Sequence, residues 1–143
     1  MISRRDLALQ VEHRAGGRCE YCRMHQSLQG ATFHVEHIVP QSRGGHTQLQ
    51  NLAWACPSCN LHKARRIASV DHETGNQVPL FHPRVDNWNA HFRWDGYRVV
   101  GDTPIGRATV AALDLNHPRR LLIRQAEEGF ALFPPPDVSE PLL

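Results

Sequence analysis

All four cysteines fall in two Cys-x-x-Cys pairs, Cys19/Cys22 and Cys56/Cys59. Each pair can set two thiolates on one ion at ~2.3 Å, and two such knuckles close a tetrahedral Zn²⁺ site. Disulfides and a thioredoxin-like redox pair compete with that reading. The opening MISRRDLALQ has basic residues but neither an apolar h-region nor a small-residue cleavage site, which weighs against export and therefore against disulfides. A redox motif uses one such pair at a strand–helix junction and does not account for a second. Structural zinc on Cys19, Cys22, Cys56 and Cys59 is the expectation. A site closed by four cysteines holds a fold together and does no chemistry.

Between the knuckles runs His34-Val35-Glu36-His37-Ile38-Val39-Pro40-Gln41-Ser42-Arg43-Gly44-Gly45, then Asn51-Leu52, then Cys56-Pro57-Ser58-Cys59-Asn60-Leu61-His62-Lys63. Taken alone, Glu36-His37 reads as a surface ion pair at a strand end. Taken together and in this order, the string resembles the HNH endonucleases of the four-cysteine zinc type, over residues 14–66. The resemblance rests on Glu-His followed by Ile-Val-Pro, the Ser-Arg-Gly-Gly loop, the Asn-Leu pair, and the Cys-x-x-Cys-Asn-x-x-Lys end.

That resemblance implies an α+β fold with a ββα-metal (His-Me finger) core: two antiparallel strands, a loop between them, and a helix packed across. It also implies roles. His37 would be the general base that takes a proton from water, an imidazole being largely neutral at physiological pH. Glu36 and Asn60 would hold one divalent ion, with positions left open for the scissile phosphate and waters. Asn51 would brace the loop and orient His37. Lys63, Arg65, Arg66 and Arg43 would meet the DNA backbone. Glu36 stands where aspartate is the commoner choice, and Asn60 where histidine is. An amide oxygen suits Mg²⁺ or Mn²⁺, where imidazole suits Zn²⁺ or Ni²⁺. His62 lies two residues from Asn60, well round the helix from it, and is a poor substitute ligand. His34 is read as a solvated strand residue and Trp54 as core.

The elements that must position these groups are legible in outline. Ser3 with Asp6 opens a helix to Ala15, with Leu7, Val11 and Ala15 facing inward, and Gly16-Gly17 ends it. Thr32–His37 and Leu52–Ala55 read as strands, and Gln41–Gln50 as a loop. Pro57, just behind Cys56, opens a helix to about Ile67. Ser69–Asn76 is turn-like. Asp95-Gly96 between apolar runs signals a hairpin within Phe92–Val100. Thr103-Pro104 opens a helix to about Leu113, and Pro118 another that stops at Gly129. Apolar faces formed by Ile105, Ala108, Ala112, Leu121 and Leu122 call for burial. The organisation expected is a core at 1–70, a hairpin-plus-helices extension at 71–133 packed on the core or on a partner chain, and a loose tail at 134–143.

Size and charge agree with one compact unit and a polyanionic partner. The chain has 143 residues, 41 % hydrophobic and 21 % charged, and no apolar run long enough to span a bilayer. Residues 1–70 hold nine cations against four acids, a net of +5, while residues 71–143 hold seven against ten, a net of −3. Fifteen of the sixteen cations are arginine, the side chain suited to forked bonds with phosphate. The expected protein is a cytoplasmic, metal-dependent DNA endonuclease leaving 5′-phosphate and 3′-hydroxyl ends, with structural Zn²⁺ and catalytic Mg²⁺ or Mn²⁺. DNA is its expected partner, a membrane is not, and a homodimer is left open. The alternative is a zinc-stabilised DNA-binding module with weak or no cleavage.

Overall fold

The structure, a computed structural model, describes residues 2–138, 140, 141 and 143. Helix α1 spans Arg4–Ala15. The Ser3 hydroxyl accepts from Asp6 N and donates to the Asp6 carboxylate, and Gly16 closes the helix. Val11 and Ala15 are buried and Leu7 packs beside them, as the four-residue spacing predicts. Strands β1 (His34–His37) and β2 (Leu52–Ala55) pair antiparallel, with Glu36 opposite Ala53 and His37 opposite Leu52. Every residue of β2 is buried, because α1 packs on this hairpin. Helix α2 covers Pro57–Lys63. It stops short of Ile67, since Ala64 adopts φ 48° and turns the chain away.

Beyond α2, Ala68–Val70 (β3) pairs with Gln77–Pro79 (β4), so the turn-like stretch between them is the tip of a hairpin. That hairpin straddles residue 70, where the core was expected to end. After a short helix α3 (Trp88–His91), β5 (Phe92–Asp95) pairs with β6 (Arg98–Gly101). Asp95 faces Arg98, leaving Gly96-Tyr97 as the loop, and Gly96 supplies the positive φ of 59° that this turn needs. Helices α4 (Pro104–Ala112) and α5 (Pro118–Gly129) follow, both with proline in the first turn.

The two halves share one hydrophobic core, running from Val11, Leu52 and Ala55 to Phe81, Trp88, Phe92 and Leu115. Polar bonds cross the same boundary. Trp88 Nε1 donates to Tyr21 O at 2.9 Å, and the buried Arg84 pairs with the buried Glu20. Glu20 in turn accepts from Trp54 N at 2.7 Å, so the first knuckle is tied to both β2 and the extension. Trp54 is core, as expected, and His34 is exposed.

Helix α5 departs from expectation. Its buried residues are Arg120, Arg124 and Glu127, whereas Leu122 is 66 % exposed. A stripe at i, i+4 and i+7 is a helical face, and here it is charged because Arg120 and Arg124 face a cysteine sulfur and backbone carbonyls while Glu127 accepts from His25 N. In the tail, Pro135 is buried and Val138 N donates to Asn89 Oδ1; Ser139 and Leu142 lie outside the described residues.

Candidate functional site

The four cysteines converge. All are buried free thiols, and their Sγ atoms lie within 4.8 Å of one another. Cys22 Sγ and Cys56 Sγ stand 3.8 Å apart, against the ~3.8 Å that a tetrahedron with ~2.3 Å Zn–S bonds requires. Local backbone explains the convergence. Cys19 N donates to Met24 O and Arg23 N to Cys19 O, with Arg23 in the left-handed region at φ 67°, which folds the first knuckle tightly. The second knuckle is the start of α2, where Cys56 is the N-cap and its Sγ accepts from Cys59 N at 3.3 Å. The donor set and its spacing fit a structural zinc ion.

Helix α5 closes this centre. Arg120, 3 % exposed, donates from Nη1 to Cys59 Sγ at 3.2 Å and from Nη2 to Ser58 Oγ and Leu113 O. Arg124, fully buried one turn on, donates to Tyr97 O and Leu115 O. Two guanidinium groups beside a cluster of thiolates offset the excess negative charge that four thiolates leave on a divalent ion. Burial alone would lower the pKa of Arg120, but the nearby cysteine sulfurs outweigh it and hold the group charged. Sequence reading missed both arginines, because a charged stripe on a helix usually faces water.

The second cluster lies where β1 leaves the hairpin. Adjacent residues of a strand face opposite ways, so Glu36 and His37 diverge. Glu36 points inward and is 6 % exposed. Its Oε1 accepts from the Tyr21 hydroxyl at 3.0 Å and pairs with Lys63 Nζ at 2.9 Å, while its buried Oε2 has no hydrogen-bond partner among the described residues. Burial raises the Glu36 pKa, and Lys63 and Tyr21 oppose that rise by favouring the carboxylate. His37 is half-exposed on the other face, with Nε2 2.8 Å from Thr47 Oγ1.

Asn51 is buried and pins the intervening loop. Its Oδ1 accepts from Val39 N at 2.8 Å, and its Nδ2 donates to Val39 O and His46 O. It braces the loop, but the residue that bonds the His37 ring is Thr47, which the sequence reading did not single out. Asn60 sits on α2, half-buried, with no side-chain hydrogen bond among the described residues. It precedes Lys63 by three residues, hence shares the helix face that packs toward β1. His62 bonds Ser58 O of its own helix.

Of the four cations expected on DNA, Lys63 is misplaced. It is 1 % exposed, with Nζ bonded to Ile38 O at 2.8 Å and to Glu36, so an internal ion pair replaces the expected phosphate contact. A long side chain at the end of an amphipathic helix found a buried carboxylate to neutralise. Arg43, Arg65 and Arg66 are exposed and lie together, Arg43 Nε donating to Arg65 O at 3.0 Å.

A sulfur-clamped ββα unit with a Glu-His pair on its first strand defines a class of protein, and comparison with known families agrees. Residues 19–66 match the family model for HNH endonuclease, so the chain carries an HNH domain there. Among curated proteins, the Septu protein PtuB of Bacillus thuringiensis is 26 % identical over 110 residues, covering 76 % of this chain and 40 % of that protein. The chain thus spans about two fifths of the length of the relative it matches. No solved structure matches it. No helix among the described residues is long and apolar enough to cross a membrane.

Proposed function

We propose that this protein is a metal-dependent endonuclease that hydrolyses phosphodiester bonds in DNA. The observation carrying the proposal is the divergence of Glu36 and His37 from one strand, the carboxylate turned toward α2 and the imidazole toward the loop. The buried Oε2 of Glu36, without a hydrogen-bond partner among the described residues, fits a cation, and the amide oxygen of Asn60 would complete an all-oxygen donor pair suited to Mg²⁺ or Mn²⁺. Such an ion, when bound, neutralises charge on the scissile phosphate and stabilises the departing 3′ oxygen.

The chain's own groups supply the rest. In the tautomer that carries its proton on Nε2, His37 donates to Thr47 and the Nδ1 lone pair is left to take a proton from the attacking water. Asn51 holds the loop that carries Thr47 to this position. Arg43 and Arg65 offer their Nη groups to the flanking phosphates, and Arg66, whose Nη2 already bonds His62 O and Ala112 O, adds its positive charge. One such site cuts one strand, so a single chain is expected to nick, and a homodimer to make paired cuts.

The Lys63–Glu36 ion pair favours a second reading, a zinc-stabilised DNA-binding module, because an ammonium already occupies part of the carboxylate. Supercoiled plasmid incubated with Mg²⁺, Mn²⁺ or EDTA decides between them. Metal-dependent nicking that disappears in His37→Ala supports the nuclease. Binding without nicking across the metal panel supports the module.

A further inference from the structure

We infer that Tyr21, from inside the first zinc knuckle, and Lys63, from the end of α2, position Glu36 as a one-oxygen ligand: both bond Oε1, leaving Oε2 alone for a divalent ion. The inference rests on the nuclease reading and assigns two residues to it.

Both positioning groups are themselves fixed. Tyr21 is fully buried and lies between Cys19 and Cys22 in the chain, so its backbone is fixed within the first knuckle. Its backbone oxygen also accepts from Trp88 Nε1, and its ring packs edge-on against Phe81. The hydroxyl therefore reaches Glu36 from a rigid base. Lys63 is anchored a second time on Ile38 O, the residue just past His37, which ties the carboxylate to the point where the strand becomes the catalytic loop.

A purely structural triad would look different. Buried ionised carboxylates are costly and normally have both oxygens satisfied. A half-satisfied one is worse than an apolar replacement of the same volume. Glu36 has two donors on one oxygen and none on the other. A cation at Oε2 completes the set. Because Oε1 is occupied, ligation through both oxygens is closed off, and single-oxygen ligation suits the small, octahedral Mg²⁺ and Mn²⁺ better than the larger Ca²⁺, which accepts bidentate carboxylates.

The test uses the zinc-loaded full chain without DNA, titrated separately with Mn²⁺ and Ca²⁺, with the ratio of the two dissociation constants as readout. Zinc content and thermal unfolding are followed in parallel. Tyr21→Phe keeps the ring and removes the hydroxyl; Lys63→Met removes the ammonium. In each variant that keeps its zinc, the preference for Mn²⁺ over Ca²⁺ should fall by about 10-fold, the lower end of what losing a partner of a ligand costs. A merely structural role would weaken both ions alike. An unchanged ratio in both variants overturns the inference, and so does loss of zinc and fold in both, which would make the pair structural. If wild type takes up Mn²⁺ and Glu36→Gln does not, an unchanged ratio sinks this inference alone. A wild type that takes up no Mn²⁺ sinks the nuclease reading and this inference with it.

Discussion

Arg120 Nη1 donates to Cys59 Sγ at 3.2 Å, joining the last helix to the sulfur cluster across 61 residues of chain. The bond makes the second half of the molecule part of the metal centre. Arg120→Met should destabilise the protein by about 3 kcal/mol, because three acceptors, two of them on buried residues, lose a charged donor. Zinc should also leave more readily. Urea unfolding and the rate of zinc transfer to a chromogenic chelator measure the two effects; a variant matching wild type in both would show α5 to be a bystander.

Zinc removal is expected to unfold more than the knuckles. Cys56 caps α2 and Cys19 and Cys22 hold Tyr21, while Arg84–Glu20 and Trp88–Tyr21 carry the extension. Metal-binding energy is folding energy in such a site. Chelation should therefore collapse the far-ultraviolet circular dichroism of the whole chain, and Cys19→Ser should reproduce it. A zinc-free protein with an unaltered spectrum would contradict the structure.

Gly45 gives a sharper local prediction. A Cβ there would stand 1.7 Å from Val39 O and 2.8 Å from Asn51 Nδ2. Val39 O cannot yield without breaking its bond from Asn51, so Gly45→Ala should cost about 3 kcal/mol, the upper range for overpacking. Nicking should fall with it, since the same loop carries Thr47. Thermal unfolding beside the plasmid assay checks both, and Gly44→Ala, with open space at its Cβ but φ 90°, serves as the comparison.

These cases show where the sequence spoke and where it was silent. The knuckles, β1, β2, the start of α2 and the Asp95-Gly96 hairpin were readable because local rules fix them: ligand spacing, alternation, proline at a helix start, glycine at a positive φ. Where Lys63 and Arg120 lie was not readable. Each is a cation on a helix, and only tertiary packing shows that one meets a buried carboxylate and the other a sulfur. Tyr21 and Thr47 were equally silent, a single hydroxyl each, given meaning by what stands opposite.

Stability should fall on mild acidification, and His82 is one cause. Burial lowers its pKa, Asp86 opposes that and Lys63 adds to it. Its Nδ1 accepts from Arg84 N at 3.1 Å, a bond the protonated ring would lose. The folded pKa lies below the unfolded value of about 6.5, so the unfolded chain binds more protons in that window. The contribution is complete above about pH 6.5 and is lost as pH falls below it, with a slope of at most about 1.4 kcal/mol per pH unit for one group. His82→Asn keeps an acceptor for Arg84 N and removes the titration. Unfolding midpoints from pH 7.5 to 5.5 should drop less in this variant; parallel curves would show that His82 carries none of the slope.

Thr47 offers the most direct view of the proposed chemistry. Its hydroxyl lies 2.8 Å from His37 Nε2 and also accepts from Gln41 Nε2 at 3.2 Å, so the ring is held from one side. Thr47→Val keeps the shape and deletes the bond. The imidazole then turns more freely, so Nδ1 presents its lone pair to the water less often. At saturating plasmid the nicking rate should fall by about 10-fold, a fraction of the 10²–10⁴-fold that a general base contributes and that His37→Ala should remove. Plasmid affinity should be unchanged in both variants, because neither side chain is among the arginines that meet phosphate. A Thr47→Val enzyme as fast as wild type would mean that the base takes its orientation from elsewhere; one that binds plasmid less tightly would place Thr47 on the DNA surface instead.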